Sequence, residues 1–359
     1  MENFSLEMVR SEIANAGHVE QLRQFRDQLH EEFEGRLLLS HSLDWNKQLN
    51  QVHDLFIARA VQLAQHSLQQ DQGLEAPVAF AFVLFGSGGR QEQTLWSDQD
   101  NGLIYEDSND PELAAKSDVY FTALAERISD LLLRLGYPPC SGEVICTNEK
   151  WRNSWSGYRS MLYEWLSDPH WEHMRYLLIF ADMRLIYGEQ SLPGRLTDEM
   201  LHYCKQHPVM LEHLLHNTLH HKISLGLFGQ LIKERYGEDA GGVDIKYGAY
   251  IPIVNGIRLL SVEAGIRETS TDARIAALME GGWVEEEIAQ DWLEALSIAL
   301  KLRSLTPFQL EDGYYTTRGK LPADRLTKER TSELKLALRI GNELQKFVKK
   351  SVQKEMEKG

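Results

Sequence analysis

The chain has 359 residues and a formal net charge of −15, with 43% apolar and 25% charged residues. These proportions are those of a folded protein large enough for two or three domains, and they exclude an intrinsically disordered chain. The negative charge repels a phosphate backbone and therefore disfavours nucleic acid as a partner. The 3 cysteines include no C-x-x-C pair, so we expect neither a disulfide framework nor a zinc knuckle.

The hydropathy of the chain does not predict attachment to a membrane. The longest apolar run is Val78–Phe85, which is far shorter than the roughly 20 residues that cross a bilayer. The first residues, MENFSLEMVRSE, lack the apolar core of a signal peptide. We therefore expect a cytoplasmic protein without a membrane partner.

Residues 1–75 are predicted to form an N-terminal helical region. In LFIARAVQLAQHSL, the apolar residues Leu55, Ala58 and Val61 recur at the spacing of one helix face, and strand-like alternation is absent. The polar segment DQGLEAP that follows predicts a loop.

Residues 76–190 are predicted to form a small α/β domain. VAFAFVLF is a continuous apolar run rich in aromatic residues, which is typical of a strand buried on both faces. DQDNGLIY predicts a second strand, and the residues from Pro111 to Gly136 predict a long amphipathic helix. EVICT (Glu143–Thr147) predicts a short third strand.

Residues 191–359 are predicted to form a C-terminal helical bundle, in which glycines and prolines separate the helices. The preceding stretch HWEHMRYLLIFADMRLIYG is also predicted to be helical. The predicted fold class is therefore α+β and mostly helical. One small mixed sheet lies between an N-terminal helical region and a C-terminal bundle.

The span FVLFGSGGRQEQTLWSDQDNGLIYED combines a strand, a glycine turn and two aspartates. It is not a P-loop, because no Lys follows the glycines, and it is not a dinucleotide fingerprint, because Gln91 occupies the third glycine position. Asp98 and Asp100 are two residues apart on a predicted strand, so their carboxylates share one side. Two such carboxylates repel each other, and Mg²⁺ together with substrate phosphates relieves that repulsion.

The glycine turn supplies the groups that bind phosphate. Gly86 permits close approach of the backbone, the Ser87 hydroxyl can donate to phosphate oxygens, and Gly88 leaves the wall without side chains. Arg90 is a candidate phosphate ligand, with Glu92 available to hold its guanidinium. The whole span predicts a site for a nucleoside triphosphate (NTP) and Mg²⁺.

GSGGRQEQTLWSDQDNGLIY resembles the glycine-serine and D-x-D signature of polymerase-β-type nucleotidyltransferases. More narrowly, it is similar to the signal-transduction nucleotidyltransferases grouped with the N-terminal part of the PII-protein uridylyltransferases. Later segments, among them LGYPPCSGEVICTNEKW and DIKYGAYIPIVNGIRLLSVEAGI, resemble further blocks of that family. The resemblance extends from about Val52 to the C-terminus, and it implies a polymerase-β-like fold for the small sheet.

The resemblance implies Mg²⁺-dependent transfer of a nucleoside monophosphate, with pyrophosphate as the leaving group. Gly86 and Ser87 would hold the triphosphate, and Asp98 and Asp100 would bind two metal ions. A third carboxylate normally completes such a site, and our candidate is Glu143.

Glu106 is the alternative third carboxylate, because it shares the strand face of the two aspartates. The resemblance also implies a regulatory protein as acceptor, with a small molecule as the alternative acceptor that the acidic surface equally fits. The C-terminal bundle, residues 191–359, is the candidate substrate-binding domain. If neither glutamate reaches the metals, a catalytically weak nucleotide sensor that acts through protein contacts is the alternative function.

Other polar and aromatic residues are given structural interpretations. The helical histidines His213, His216 and His220 are interpreted as a polar face rather than a metal site. The pair His53 and Asp54 is interpreted as ordinary helix residues.

Two charged pairs and four tryptophans can each be interpreted as structural residues or as ligand-contacting residues. The charged residues fit two interpretations equally well, ion pairing between helices and contact with nucleotide or acceptor; they are Asp182, Arg184, Asp244 and Lys246. For the tryptophans, packing is favoured over a base-stacking wall; they are Trp151, Trp155, Trp165 and Trp171.

Overall fold

The structure is a computed structural model that describes residues 5–37, 42–219, 223–226, 230–311 and 314–357. It is 65% helical and contains a small mixed sheet of four strands, which confirms the predicted α+β, mostly helical class. No helix within these ranges is both long and apolar enough to cross a membrane.

The residues fall into two compact units. The first unit comprises Met1–Met161, Asp182–Leu196 and Leu310–Thr316, and the second comprises Leu162–Ala181, Thr197–Gln309 and Thr317–Gly359. The first unit therefore contains both the predicted N-terminal helical region and the sheet. The finer boundaries at residues 75 and 190 stay predictions.

The helices and strands up to the end of the sheet are, in chain order, α1 (Leu6–Asn15), α2 (Val19–Arg36), α3 (Ser42–Gln72), β1 (Phe80–Leu84), α4 (Gly86–Gly89), β2 (Asn101–Tyr105), α5 (Pro111–Arg134), β3 (Arg152–Ser154), α6 (Trp155–Ser167), α7 (Trp171–Phe180) and β4 (Arg184–Gly188). Helix α5 begins where the Asp110 side chain accepts a hydrogen bond from the Glu112 amide at 2.9 Å. It ends before Gly136, whose φ of +92° is a left-handed conformation that favours glycine.

The sheet has the strand order β3-β2-β1-β4. Strand β1 pairs antiparallel with both β2 and β4, and β2 pairs parallel with β3. All five residues of β1 are buried, as its continuous apolar sequence predicts. Phe80 and Tyr105 of the two central strands pack on Phe121 of α5, with ring centroids 5.4 and 4.5 Å away.

One predicted strand and part of one predicted helix are wrong. Residues Glu143–Thr147 form turns and irregular backbone, and the strand parallel to β2 is β3, which begins five residues later. The stretch predicted as one helix to Gly188 instead ends its helix at Phe180 and continues as β4. Both strands are short and pair with residues distant in sequence, so local apolar spacing carries little signal for them.

The remaining elements are α8 (Ser191–Gln206), α9 (Val209–Thr218), β5 (Val243–Asp244), α10 (Ile251–Ala264), α11 (Thr271–Glu280), α12 (Glu286–Ser304), β6 (Gln309–Glu311), β7 (Tyr314–Thr316), β8 (Lys320–Leu321) and α13 (Lys328–Met356). The helices α10, α12 and α13 pack on one another in the second unit. Helix α10 is buried along most of its length, and Gly256 lets Leu344 and Val348 of α13 approach its backbone. The predicted helical character of this region is confirmed.

Candidate functional site

Asp98 and Asp100 lie beside the turn that follows β1. The Phe85 amide donates to the Asp100 carbonyl at 2.9 Å, which joins the end of β1 to the residues just before β2. Gln99, between the aspartates, forms a parallel bridge with Pro139 and is buried. Because side chains alternate along extended backbone, the two aspartates share the side opposite Gln99, with Asp98 exposed and Asp100 half-buried.

Gly86 lies directly against the Asp100 carboxylate. A Cβ atom at position 86 would overlap Oδ2 of Asp100 and lie 3.2 Å from its Cγ. The φ of Gly86 is +53°, which also favours glycine. The structure therefore brings together the two parts of the predicted site, the glycine turn and the D-x-D pair, and the Asp100 carboxylate can approach this closely only while residue 86 lacks a side chain.

Ser87 and Gly88 form the next part of this turn. Ser87 is half-buried, and its hydroxyl makes no hydrogen bond to the described part of the chain. Gly88 is buried against Leu84, whose Cδ1 would be 3.1 Å from an added Cβ. The turn thus presents one hydroxyl and otherwise bare backbone.

Arg90 is buried, with 4% of its side chain exposed. Its Nε donates to Glu92 at 2.8 Å, as predicted for the guanidinium-holding residue, and its Nη1 donates to Asp182 at 2.5 Å. Asp182 is fully buried. A cation and two carboxylates thus form a buried network below the glycine turn.

A second arginine holds the turn from β4. Arg184 donates through Nη2 to the carbonyl of Gly88 at 2.7 Å and through Nε to that of Gly89 at 3.0 Å. The same guanidinium forms a bidentate pair with Asp54 of α3, at 2.7 and 2.9 Å. Asp182 thus pairs with Arg90, and Arg184 pairs with Asp54. Ion pairing was one of the two open interpretations of Asp182 and Arg184, but the residues that pair lie on a strand and a turn as well as on a helix.

Buried polar side chains of α3 fix the segment between the turn and the aspartates. Asn50 accepts from the Gln93 amide at 2.8 Å and donates to the Gln93 carbonyl at 3.1 Å. Asn46 donates to the same carbonyl at 3.1 Å. His53 contacts the Thr94 carbonyl at 3.0 Å and the Tyr137 hydroxyl at 2.7 Å. Side chains, rather than a neighbouring strand, therefore satisfy the backbone hydrogen-bonding groups of this segment.

The same region contains buried ionisable groups. Burial, and then the charge of Arg26, lower the pKa of His53 to about 3 and also lower the pKa of His30 well below its usual range. Arg26 is itself buried, donates to the Leu135 carbonyl at 2.5 Å and lies over the Tyr137 ring at 4.0 Å. Both histidines are thus neutral parts of the support.

Cys140 is a neighbour of the aspartates that the sequence did not indicate. Burial, and then the nearby Asp100 carboxylate, raise the pKa of the Cys140 thiol to about 12. The thiol is therefore protonated at neutral pH and is not a nucleophile. A lone cysteine without a spaced partner carries no signal for such a position in the sequence.

Glu143 follows Cys140 in a turn, with a φ of +54° and an exposed side chain. The carbonyl of the next residue, Val144, accepts from the Asn101 amide at 2.9 Å, so this segment runs beside the D-x-D pair. However, within the described ranges Asp98, Asp100 and Glu143 do not bring three ligand atoms within 4.8 Å of one another. The structure places Glu143 near the aspartates without closing a three-carboxylate cluster.

Glu106 lies at the other end of β2. Six residues separate it from Asp100, which corresponds to roughly 20 Å of strand, and its carboxylate accepts from Arg195 at 3.1 Å. The structure does not bring Glu106 together with Asp98 and Asp100.

Further residues singled out in the sequence are tryptophans, histidines and Asp244. Trp151 and Trp165 are buried, and Trp151 packs on Phe85 with ring centroids 4.9 Å apart, which is the favoured packing role. His213 and His216 form no three-residue metal cluster within the described ranges, and His220 lies outside them. The Asp244 carboxylate accepts from the Tyr247 amide at 2.7 Å.

Comparison with known proteins identifies two family models along the chain. The model described as "Putative nucleotidyltransferase DUF294" matches residues 40–172, and the model described as "Putative nucleotidyltransferase substrate binding domain" matches residues 208–352. The first match contains the glycine turn and the D-x-D pair. Among curated proteins, no sequence matches the chain.

Proposed function

Because the chain belongs to this nucleotidyltransferase family, we propose that it transfers a nucleoside monophosphate from an NTP to a protein or small-molecule acceptor in a Mg²⁺-dependent reaction. The observation that carries the proposal is the contact between Gly86 and the Asp100 carboxylate. It unites a glycine backbone without side chains and an acidic pair in one place.

The donor set fits Mg²⁺. Asp98 and Asp100 offer only carboxylate oxygens, which this cation prefers together with phosphate oxygens. Asp98 is exposed and forms no ion pair with a described residue, whereas the nearby Asp54, Glu92 and Asp182 are all paired with arginines. Asp98 and Asp100 would thus hold two Mg²⁺ ions, which neutralise phosphate charge and acidify an acceptor hydroxyl when bound.

The glycine turn would bind the triphosphate. The Ser87 hydroxyl and the amides of Gly86, Ser87 and Gly88 can donate to phosphate oxygens without displacing a protein partner. Arg184 fixes the carbonyls of Gly88 and Gly89 on the opposite side of the turn. The donors are therefore preorganised, which is the main protein contribution to phosphoryl transfer.

We assign Arg90 to holding this turn rather than to binding phosphate. Its guanidinium is 4% exposed and is engaged by Glu92 and Asp182. Its charge is neutralised by these two carboxylates, so a phosphate contact requires a change in the ion pairs.

Glu143 is the proposed third carboxylate. It is exposed, and its segment is hydrogen-bonded to Asn101 beside the D-x-D pair. Its proposed role is to accept the proton of the acceptor hydroxyl or to add a metal ligand. Replacing Glu143 by Gln is expected to lower transfer about 100-fold, while Glu149→Gln, at another exposed position of the same loop, leaves it unchanged.

The acceptor is proposed to be a regulatory protein, as in the uridylyltransferase-like reaction, or a small molecule. The net charge of −15 disfavours RNA as the acceptor. The match of residues 208–352 to a substrate-binding domain supports placing the acceptor-binding residues in the helical second unit.

A nucleotide sensor is the second candidate function. It is favoured by the lack of a three-carboxylate cluster that includes Asp98 and Asp100 among the described residues. In this case NTP binding to the same residues would act through contacts with a protein partner, and no transfer would occur.

Labelling of a cell lysate with each of the four α-³²P-NTPs tests the enzyme against the sensor. Wild type and Asp118→Asn, an exposed aspartate of α5, are expected to label an acceptor, and Asp98→Asn/Asp100→Asn is expected to label none. NTP binding without labelling by wild type would favour the sensor. Labelling that persists in the double variant would contradict both candidates.

A further inference from the structure

Asp168, His170 and His173 form a second group of possible metal ligands, within the second unit. Each offers one ligand atom, and these atoms all lie within 4.8 Å of one another. His170 Nε2 is 3.7 Å from Oδ2 of Asp168, and His173 Nδ1 is 4.0 Å from the same oxygen. We name these three residues the histidine turn. They play no part in the proposed nucleotide site.

The backbone holds the three side chains around one point. The Asp168 carbonyl accepts from the His170 amide at 2.8 Å and from His173 Nδ1 at 2.8 Å. Pro169 between them restricts the backbone. His170 is the residue before α7, and His173 lies three residues later, so both imidazoles are on the same side of the first turn.

The two imidazoles are in direct contact. Their ring centroids are 3.7 Å apart with an interplanar angle of 32°. The His173 ring is 13% exposed and fixed by its carbonyl contact, whereas His170 and Asp168 are 47% and 69% exposed and free to adjust. A metal-bound histidine characteristically uses its second nitrogen for such a carbonyl contact.

We propose that the histidine turn binds one divalent transition-metal ion of the Zn²⁺ class. Two imidazoles and one carboxylate form a ligand set that suits Zn²⁺ and leaves a fourth position for water. Because its Nδ1 contacts the Asp168 carbonyl, His173 would bind the ion through Nε2. His170 Nε2 and Asp168 Oδ2 are 3.7 Å apart, close to the separation of about 3.3 Å between tetrahedral Zn²⁺ ligands, so these two exposed side chains need only a small movement. Nitrogen donors distinguish this site from an all-oxygen Mg²⁺ site.

The bound ion would join the residue that follows α6 to the first turn of α7. Its expected role is to stabilise that turn, because a metal that binds the folded form more tightly than the unfolded form raises stability by mass action. No catalytic step is assigned to it.

Equilibrium dialysis of Zn²⁺ with the full chain, freed of any affinity tag, tests the proposal. The background is Asp98→Asn/Asp100→Asn, so that the predicted Mg²⁺ ligands do not contribute. We expect one Zn²⁺ per chain, with Kd raised at least about 10-fold by His170→Ala or His173→Ala. His202→Ala, at an exposed histidine of α8, is the matched control and should leave Kd unchanged.

The visible absorption of added Co²⁺ gives a second readout. A band typical of nitrogen-bound tetrahedral Co²⁺ should appear in the parent protein and disappear in His170→Ala. Since the His170 ring is exposed, this variant keeps the fold even if His173→Ala does not. Equal Zn²⁺ binding by the parent and both variants, or no binding by the parent, would overturn the proposal.

Discussion

The two groups of candidate metal ligands differ in chemistry and in support. The D-x-D pair offers carboxylate oxygens, and the backbone around it is held by buried Asn50 of α3, buried Arg90 after the glycine turn and half-buried Arg184 of β4. The histidine turn offers imidazoles and is held by local hydrogen bonds within six residues. A site that must position a triphosphate needs a rigid scaffold, whereas a structural ion can organise its own ligands.

The buried support of the D-x-D pair is where the largest effect on stability is expected. Asp182→Asn removes a carboxylate that is fully buried against Arg90. Arg90 keeps its ion pair with Glu92, so the expected cost is that of the lost charge-assisted hydrogen bond in a buried network, about 1.5–3 kcal/mol. Urea denaturation should therefore show a large loss in the free energy of unfolding.

Asp130→Asn is the matched control for Asp182→Asn. Asp130 pairs with Arg134 at 3.4 Å on the exposed side of α5. Exposed pairs contribute about 0–1 kcal/mol, so this variant should be nearly as stable as wild type. Similar losses in both variants would show that the buried network does not support the site.

Gly86→Ala should reduce transfer about 100-fold, the loss that a displacement of about 1 Å in an active site produces. The added Cβ would overlap the Asp100 carboxylate and displace it. Steady-state kinetics or, for a sensor, NTP affinity measures the effect.

Gly73→Ala separates this displacement from backbone strain. Gly73 has a φ of +65°, similar to the +53° of Gly86, but a Cβ added at position 73 would meet nothing within 4 Å. This variant should lose about 1 kcal/mol of stability and no activity. Full transfer activity in Gly86→Ala would contradict the placement of the glycine turn beside the reacting groups.

A smaller effect, over the interval from pH 7 to pH 5.5, concerns pH. His53 has a folded-state pKa of about 3 against an ordinary value of 6.5, and the pKa of His30 is lowered in the same direction. His53 is neutral when folded, so the stability it contributes is present above pH 6.5 and is lost as the pH falls towards 3. It should lower the free energy of unfolding by about 1 kcal/mol per pH unit in that window, and His30 should act in the same direction.

Urea denaturation at pH 7 and pH 5.5 measures this dependence. His53→Asn should flatten the pH dependence by the share of one histidine, while His202→Asn, at an exposed position, should leave it unchanged. Identical slopes for wild type and His53→Asn would show that the pKa of His53 is the same in the folded and unfolded protein.

The sequence predicted the parts of the fold that have strong local signals. The apolar run of β1, the glycine turn, β2 and the amphipathic helix α5 are all present at the expected places. The structure places Gly86 beside Asp100, and the role of this glycine in holding a triphosphate stays a prediction. Local patterns were sufficient there because each element is either continuous in hydrophobicity or bounded by glycine and proline.

The sheet edges and the support of the site were not predictable in the same way. Strands β3 and β4 are stabilised by partners about 50 and 100 residues away, with β4 pairing to Ala81–Leu84. Arg184 and Asn50 contact the site segment through long-range hydrogen bonds that no short motif records. Cys140 similarly reaches Asp100 only through folding.

Calorimetry of NTP binding tests the central claim, that Gly86, Asp98 and Asp100 form one Mg²⁺-dependent nucleotide site. Wild type and Asp118→Asn should bind at least one of ATP, UTP, CTP and GTP with Mg²⁺ and lose that binding with EDTA. Asp98→Asn/Asp100→Asn should show no Mg²⁺-dependent binding while keeping the circular dichroism spectrum of wild type. Unchanged binding by the double variant, or no binding of any of the four nucleotides by wild type, would contradict the account.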